Sequence, residues 1–309
     1  MRFAVMVEGQ EDVTWEQWLA LAATAERLGF EALLRSDHYG SVDGDTARGS
    51  LDAWSTICGL AATTTTLRLG TLVSPATFRH PSVLAKSAVT ADHISGGRIE
   101  LGIGTGWHAA EHRAYGFPFP PMKVRMDRLA EQLEIVAGSW APGPFSFAGE
   151  HYAVEDLDAL PKPVQDPLPL LMGGAAGPRG AALAARFATE YNVVHQTPEE
   201  ADAARGRIAA ACVDAGRDPA TMTFSLMHGF LIGADEDDLR ERGERLSART
   251  GMTVGDLRGG WLSGTPEQFA ARLREYEAAG VERVMLQHHL VDDHAALELI
   301  ASAVVPALA

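Results

Sequence analysis

The fold is decided by residues 67–103, which read LRLGTLVSPATFRHPSVLAKSAVTADHISGGRIELGI. Residues 67–73 form a short apolar run and predict a strand. Residues 81–94 carry apolar side chains at helical spacing behind a proline, which suits the first turn of a helix. Residues 99–103 are again short and apolar. This order of strand, helix and strand indicates two parallel strands joined by a right-handed crossover.

The same alternation continues on both sides of this unit. Further strands are predicted at residues 3–7, 32–34, 170–172, 191–194, 224–228 and 283–287, and a helical pattern follows each of them. Eight strand–helix units predict an α/β protein with a (β/α)8 TIM-like barrel. An open dinucleotide-binding sheet is disfavoured, because the residues after the first strand, EGQED at 8–12, lack the glycine-rich turn of that fold.

Two stretches interrupt the alternation, and we interpret them as insertions after strands four and seven. The first, at about 141–169, is rich in proline and glycine, and its residues 145–147 and 151–154 predict a small hairpin. The second, at about 229–264, contains a strongly charged helical pattern at 235–249. Insertions after barrel strands commonly build the lid of an active site. We therefore expect one barrel domain over residues 1–309.

Composition excludes several classes of function. The 26 Lys and Arg residues against 41 Asp and Glu residues give a net charge of −15, which disfavours binding to nucleic acid or to anionic membranes. No apolar stretch is long enough to predict a membrane span. The two cysteines, Cys58 and Cys212, stand in unrelated contexts and predict neither a disulfide framework nor a thiolate metal site. We expect a cytoplasmic protein, and the preference for Arg over Lys indicates a GC-rich bacterial genome.

No motif for metal or nucleophilic catalysis is present, since HExxH, GxSxG and the P-loop pattern are all missing. No metal site is therefore predicted, and an organic cofactor is the more natural carrier of the chemistry. In a barrel, such a cofactor and its substrate bind where the strands end at their carboxyl side. The candidate residues follow strands two to five.

Strands two and three end in charged residues. Asp37 and His38 follow strand two, and a carboxylate beside an imidazole could orient a proton donor. The alternative is a loop-capping aspartate and a surface histidine. Arg79 follows strand three just before a predicted helix, where it could bind an anion or could be an ordinary loop residue.

Strands four and five end in glycines. Gly104-Thr105-Gly106 allows a flat ring or a phosphate to approach the backbone, although such glycines also serve tight barrel turns. Trp107 follows directly and could pack in the core or stack on a ring. Gly173 and Gly174 lead into a helix and could expose N–H donors to a phosphate, or could simply cap that helix.

Taken together, these motifs resemble the bacterial luciferase-like monooxygenase family over nearly the whole chain. The resemblance is carried by LGFEA (28–32), SDH (36–38), TFRHP (77–81), SGGRIELGIGTGW (95–107), Glu111, YG (115–116), PKP (161–163), GG (173–174) and SGTPE (263–267). Through its SDH and GTG turns, the chain looks closer to the branch that uses coenzyme F420, a deazaflavin.

The resemblance implies a barrel that binds F420, or alternatively FMN, at its carboxyl-end mouth. In the F420 branch the histidine after the aspartate contacts the deazaflavin and is proposed to take part in proton transfer, which assigns His38 and Asp37 to catalysis. Relatives also hold a non-proline cis peptide that aligns with Leu72–Val73. The implied cofactor-binding residues are Leu72, Val73, Arg79, Gly104, Thr105, Gly106, Gly173, Gly174 and Arg179. Of these, Arg79 and Arg179 would meet the acidic tail of F420.

One departure from the family pattern bears on the reaction. The sugar-phosphate dehydrogenases of this branch carry a catalytic glutamate directly after Gly-Thr-Gly, where this chain has Trp107. This argues against their particular reaction and leaves the general acid or base open, with Glu111 a candidate by proximity. We expect Trp107 and Glu111 on the substrate side, and we expect the substrate to be selected by the strand-seven insertion and the loop at 39–48.

Three functions follow from the resemblance. The first is an F420-dependent oxidoreductase that transfers a hydride between the cofactor and a small organic substrate. The second is a two-component FMN-dependent monooxygenase that uses oxygen and reduced FMN. The third is a flavin-binding protein without turnover. The resemblance also implies a homodimer and, as a partner, a reductase that supplies reduced flavin or deazaflavin.

Overall fold

Parallel strands close into a barrel in the computed structural model, which describes residues 1–42 and 47–308. The eight barrel strands of this described part are β1 Arg2–Val7, β2 Ala32–Arg35, β3 Arg68–Thr71, β4 Ile99–Gly104, β5 Leu170–Gly173, β6 Glu190–Val194, β7 Thr223–Ile232 and β8 Arg283–Gln287. Each strand pairs in parallel with the next, and β8 returns to β1, where Val284 is level with Phe3. The predicted (β/α)8 fold is confirmed.

Helices surround the barrel, and those predicted from helical spacing begin and end close to the residues that the sequence signals indicate. Three others, Ala109–Tyr115, Val254–Gly260 and Pro266–Ala278, were not predicted. The helices are α1 Trp15–Arg27, α2 Ala53–Thr63, α3 Pro81–Ser95, α4 Ala109–Tyr115, α5 Met122–Trp140, α6 Pro178–Phe187, α7 Pro198–Asp214, α8 Glu236–Thr250, α9 Val254–Gly260, α10 Pro266–Ala278 and α11 His294–Leu299. For example, α3 begins at Pro81 and ends at Gly96 in the left-handed conformation. Within the described residues, no helix has the length and apolar character needed to cross a membrane.

The stretch between β4 and β5 contains the predicted hairpin, but its second strand is shifted. The strands are Phe145–Ala148 and Ala153–Leu157 and pair antiparallel. His151 and Tyr152, which we predicted to begin the second strand, belong to the turn instead. Their backbone N–H groups both donate hydrogen bonds of 2.9 Å to the carboxylate of Glu131 on α5, so they are not available for strand pairing.

The stretch after β7 begins later than predicted, because β7 runs on to Ile232 rather than ending at His228. The extension is stabilised by a short strand, Leu262–Gly264, which pairs in parallel with Phe230–Ile232. The charged helix predicted here is confirmed as α8. Together with α9 it packs around a small apolar cluster of its own, formed by Leu231, Leu239, Leu246 and Leu257.

The interior of the barrel is filled at two levels. Its middle is an apolar cluster formed by Ala4, Met6, Ala32, Leu34, Leu72, Leu171, Met227 and Met285. Towards the amino ends of the strands lies a buried ionic cluster around Arg283, which contacts Glu100 and Glu190. With both levels closed by side chains, the space for a ligand lies above Met6, Leu72 and Met227, at the carboxyl ends of the strands.

Candidate functional site

A cavity of about 420 Å³ opens at the carboxyl ends of the strands. It is lined by Met6, Glu8, Ser36, His38, Val42, Leu72, Val73, Pro75, Gly106, Trp107, Gly173, Gly174, Asn192, Val194, His195, Met227 and Gln287. Its volume lies in the range of about 300–1,000 Å³ that is typical of small-molecule sites. Most of the lining is apolar, with a few polar groups among it, which is the usual composition of a cofactor or substrate pocket.

The structure brings seven of the predicted site residues together at this cavity. They are His38, Leu72, Val73, Gly106, Trp107, Gly173 and Gly174. The peptide bond between Leu72 and Val73 is cis, as the alignment predicts. Whether these residues bind a cofactor stays a prediction, but they share one cavity although they come from four different strand ends.

Glycines in the Gly-Thr-Gly turn make room for the cavity wall. A Cβ atom at Gly104 would lie 2.8 Å from Cγ2 of Val73, so only glycine allows Val73 to line the cavity as it does. Gly106 has a φ of +75°, a conformation that side chains rarely adopt. Gly104 and Thr105 themselves do not line the cavity within the described part of the chain. Gly104 therefore shapes the site through Val73.

The chemically distinctive group is a pair formed by His38 and Glu111. Nδ1 of His38 lies 2.7 Å from Oε2 of Glu111, which is carried by α4 and is only 3% exposed. The other carboxylate oxygen accepts hydrogen bonds from the backbone N–H groups of Tyr39 and Gly40. A carboxylate can only accept, so Nδ1 of His38 carries a proton. Among the described residues, none forms a hydrogen bond with Nε2 of His38, which is left for a ligand.

The environment favours the charged form of both partners. Burial by itself lowers the pKa of His38, but the hydrogen bond and the negative charge of Glu111 outweigh it, so that the pKa lies above its usual 6.5. Burial would raise the pKa of Glu111, but His38 and the two backbone donors lower it below 4.5. The pair therefore remains an imidazolium and a carboxylate over a wider pH range than the free side chains.

The structure corrects our interpretation of Asp37, which we expected to orient His38. Asp37 is buried on the other side of the chain, where its Oδ2 accepts a hydrogen bond of 2.6 Å from Ser74 and pairs with Arg79 at 2.5 Å. Successive side chains at a strand end point to opposite faces, so two adjacent residues do not meet the same partner. The carboxylate that orients His38 is Glu111, which is 73 residues away in sequence.

The same contact corrects our expectation that Glu111 faces the substrate. Its two oxygens are occupied by His38, Tyr39 and Gly40, and Glu111 does not line the cavity among the described residues. It acts on the cavity through His38. Trp107, in contrast, lines the cavity with 61% of its surface exposed and packs edge-on against His38, at 5.7 Å between ring centroids. The core-packing alternative for Trp107 is therefore wrong.

The two arginines predicted to meet an acidic tail lie in different surroundings. Arg79 is largely buried and binds Asp37, Tyr39 and Asp52, the last at 2.8 Å. Its guanidinium thus holds the loop after β2. Arg179 lies in the first turn of α6 with its side chain 51% exposed, where it pairs with Asp127 at 2.6 Å. Of the two, Arg179 is the exposed one and lies on the helix that follows Gly173 and Gly174, and its role stays a prediction.

Several residues that line the cavity escaped the sequence analysis. They are Met6, Glu8, Ser36, Val42, Pro75, Asn192, Val194, His195, Met227 and Gln287. Most of them occupy the ends of strands one, six, seven and eight, where no site residue was predicted. The signal was available, because the rule that function collects at the carboxyl ends applies to every strand of a barrel.

Two of these residues form a polar network at the cavity wall. Glu8 accepts hydrogen bonds from Gln287 at 2.6 Å and from Gln10 at 2.9 Å. His195 lies next to it, with a φ of +50°, and its ring packs edge-on against His228 at 5.0 Å between centroids. Partial burial lowers the pKa of His195, which is the opposite direction to the shift at His38.

The loops expected to select the substrate contribute unequally. Val42, from the loop at 39–48, lines the cavity, while residues 43–46 of that loop lie outside the described residues. The described residues of the strand-seven insertion, 229–264, do not line it. The expectation that this insertion builds a lid over the site is wrong for this conformation, because its apolar side chains pack on one another instead.

Metal-ligating side chains do not gather anywhere in the described part of the chain. No group of three or more His, Cys, Asp or Glu residues that could hold a metal ion occurs there. Among the described residues, His228, which lies within β7, and His288 and His289, which follow β8, belong to no such cluster.

Comparison with known proteins gives two kinds of relatives. The profile of a family described as luciferase-like monooxygenase matches residues 1–253. An FMNH2-dependent dimethylsulfone monooxygenase from Pseudomonas putida is 27% identical over 86% of this chain and 80% of its own length. An F420-dependent glucose-6-phosphate dehydrogenase from Nakamurella multipartita is 36% identical over 55% of this chain and 50% of its own length. The chain spans less than two thirds of several further curated relatives.

Among solved structures, an F420-dependent secondary alcohol dehydrogenase in complex with an F420–acetone adduct has the same fold. It superimposes with a TM-score of 0.86 over 100% of this chain and 99% of its own, at 18% identity. At that identity the similarity shows the fold alone. The chain thus shares its architecture with enzymes of both cofactor classes.

Proposed function

The chain belongs to the luciferase-like monooxygenase family, and from this membership and the geometry of its cavity we propose that it is an F420-dependent oxidoreductase. It would transfer a hydride between the deazaflavin and a small organic alcohol or carbonyl compound. Relatives of the family use either F420 or reduced FMN, so the proposal is that this chain uses F420 rather than FMN.

The residues at the cavity fit a flat, phosphate-bearing coenzyme. Leu72, Val73 and Gly106 offer an apolar wall in which a glycine takes the place of a side chain. Gly174 has a φ of +144° and leads into α6, whose cap Gly177 has open space where a Cβ would stand. Helix N-termini of this kind present unpaired N–H donors to a phosphate. We assign the ring of the coenzyme to the first group and its phosphate to the second.

The observation that carries the proposal is the His38–Glu111 pair at the wall of this cavity. When bound, the deazaflavin would supply hydride chemistry, and a hydride leaves or reaches carbon only if a proton leaves or reaches the attached oxygen. Nε2 of His38 takes up the hydroxyl proton of an alcohol when the imidazole is neutral, and the resulting imidazolium returns that proton when a carbonyl is reduced. Glu111 holds the ring in one orientation and stabilises the imidazolium.

A second candidate is the two-component FMN-dependent monooxygenase, and one observation favours it. Among the described residues that line the cavity there is no Lys or Arg, and Arg79 is engaged with Asp37 and Asp52. The acidic tail of F420 needs cations, whereas FMN does not have that tail. Under this function a partner reductase would supply reduced FMN.

Fluorescence titration of the purified protein with F420 and with FMN distinguishes the two functions. We expect F420 to bind more tightly and to be reduced when secondary alcohols are added, as followed by its absorbance. Much tighter binding of FMN would overturn the proposal in favour of the monooxygenase. The oligomeric state, for which the resemblance implies a homodimer, is measured on the same sample by light scattering.

A further inference from the structure

The charge of the cavity bears on its substrate, and the argument rests on the proposed function. Leu72, Val73 and the glycines are assigned to the coenzyme, which leaves a second set of lining residues for the substrate. We define this substrate wall as Glu8, Val42, Trp107, Val194 and His195. We propose that it admits an uncharged, largely apolar alcohol or carbonyl compound and that Glu8 excludes anionic ones.

The apolar members of the substrate wall are open to a ligand. Trp107 is 61% exposed and Val194 is 42% exposed, although both are large apolar side chains. Apolar surface of this kind gains free energy when a ligand removes it from water. A compound with a hydrocarbon body would therefore be bound by this wall, and its oxygen would be left for Nε2 of His38.

The charged member of the substrate wall, Glu8, is a carboxylate without a salt-bridge partner, and the imidazolium of His38 in the same cavity is already neutralised by Glu111. Both oxygens of Glu8 accept hydrogen bonds from neutral amides, those of Gln287 and Gln10. The structure contains no salt bridge to Glu8 among the residues that it describes. Arg35 lies behind Gly9, but its guanidinium donates to Ser36, Thr56 and Leu51 and does not line the cavity.

An anionic substrate would meet an unfavourable potential here. It would lose its hydration beside Glu8 without gaining a Lys or Arg partner from the described lining. Specificity of this kind comes from repulsion of the wrong ligand rather than from added attraction to the right one. Phosphorylated sugars and hydroxy acids would therefore be poor substrates.

A matched pair of ligands tests this inference. Cyclohexanol and a hydroxycyclohexane carboxylate share one ring and one secondary alcohol and differ by a carboxylate. Their dissociation constants are measured on the F420-loaded protein by quenching of tryptophan fluorescence, with Trp107→Phe to identify the signal of Trp107. We expect the neutral alcohol to bind about tenfold or more tightly than the acid, with a ratio that falls as salt is added.

Variants assign the discrimination to Glu8. Glu8→Gln should bring the two dissociation constants together by about tenfold, through tighter binding of the acid. Glu16→Gln removes a carboxylate from the exposed first turn of α1 and should leave the ratio unchanged. The salt dependence needs no variant, so it tests the inference even if Glu8→Gln folds poorly.

Failure of this inference and failure of the proposed function give different results. The substrate class is wrong, whatever cofactor is used, in three cases. The acid binds as well as the alcohol, the ratio of the two dissociation constants does not respond to Glu8→Gln and to salt, or neither compound binds. If the alcohol binds preferentially but F420 is not reduced, the substrate class stands and the proposed reaction fails.

Discussion

The two ends of the barrel interior hold buried charges in opposite ways. At the amino ends of the strands, Arg283 is 1% exposed and its Nη1 lies 2.8 Å from Glu100 and 3.0 Å from Glu190. At the carboxyl ends, His38 is paired with Glu111 through one nitrogen, and the other faces the cavity. At the amino ends, the positive and negative charges compensate one another. At the carboxyl ends, Nε2 of His38 stays available to a ligand, which distinguishes a binding site from a cluster that only stabilises the fold.

The ionic cluster at the amino ends is centred on Arg283. Burial would raise the pKa of Glu100, but Arg283 and Arg68 lower it below its usual value. Burial also acts on Glu190, and there it prevails over Arg283, so that the pKa is raised. Arg283 is thus shared between two buried carboxylates, and its removal leaves both without their common partner.

The largest effect is expected from Arg283→Met. It takes from Glu190 its partner Arg283 and leaves Glu100 paired with Arg68 alone, and breaking a buried ion pair in this way costs about 3–5 kcal/mol of unfolding free energy. Urea denaturation measures the loss. Arg272→Met is the control, because Arg272 is 41% exposed where it pairs with Glu275, and such surface pairs contribute about 1 kcal/mol or less. Equal free energies of unfolding for the two variants would show that the amino-end cluster does not stabilise the fold.

The architecture of both ends could be predicted from the sequence, but their pairings could not. Hydrophobic period and strand–helix alternation depend on neighbouring residues, so they predict the barrel, most of its helices and the strand ends that form the site, but they did not predict α4, which carries Glu111. The pair of His38 with Glu111 depends on how α4 lies over the loop after β2. The position of α4 over this loop depends on packing between segments that are distant in sequence. A single sequence does not show that packing.

A usable signal for the amino-end cluster was nevertheless present. Glu100 stands between Ile99 and Leu101 in a fully buried strand, and Arg283 begins another. Charged residues are almost never buried without a partner, so each of these two implies the other. The same reasoning would have indicated a partner for His38, although it would not have distinguished Asp37 from Glu111.

The next effect in size concerns the carboxyl end, where His38→Ala removes the proposed proton carrier. We expect turnover to fall by about 10²–10⁴-fold, the usual contribution of a general acid or base. The melting temperature should also fall, because buried Glu111 loses its partner, so turnover is compared at a temperature where the variant is folded. His93→Ala, at an exposed histidine of α3, is the control. If His38→Ala is fully active, His38 is not catalytic. If its activity falls only in proportion to the fraction of unfolded protein, the role of His38 is structural.

Glu111→Gln separates positioning from charge at the same end. The amide oxygen of the new side chain can still accept from the N–H groups of Tyr39 and Gly40, but a neutral amide cannot stabilise the imidazolium. The pKa of His38 should therefore fall towards and below 6.5, and the limb of the pH–rate profile that depends on His38 should move to lower pH. An unmoved profile with lower turnover would mean that Glu111 only shapes the loop.

The same variant has a stability effect confined to a pH window. The folded-state pKa of His38 is raised, so its contribution is complete below 6.5 and is lost as pH rises through that raised value. The folded-state pKa of Glu111 is lowered, so its contribution is complete above 4.5 and is lost as pH falls through that lowered value. The wild-type protein should exceed Glu111→Gln in stability most between pH 4.5 and 6.5, as measured by denaturation inside and on both sides of this window.

The smallest effect is expected at the rim of the carboxyl end, where Arg179→Ala tests the acidic tail of F420. Arg79 is unsuited to this test, because its loss would also release Asp37. Arg186 is a matched control, since it lies on the same helix in a similar exposed ion pair, 57% exposed at 2.6 Å from Glu134, but at the far end from Gly173 and Gly174. An exposed contact of about 1 kcal/mol corresponds to about fivefold in affinity. Arg179→Ala should weaken F420 binding by up to that factor and flatten its dependence on salt, with little change for FMN, while Arg186→Ala changes neither. If Arg179→Ala and Arg186→Ala bind F420 equally well, the acidic tail does not run past α6. Arg179 then has another role.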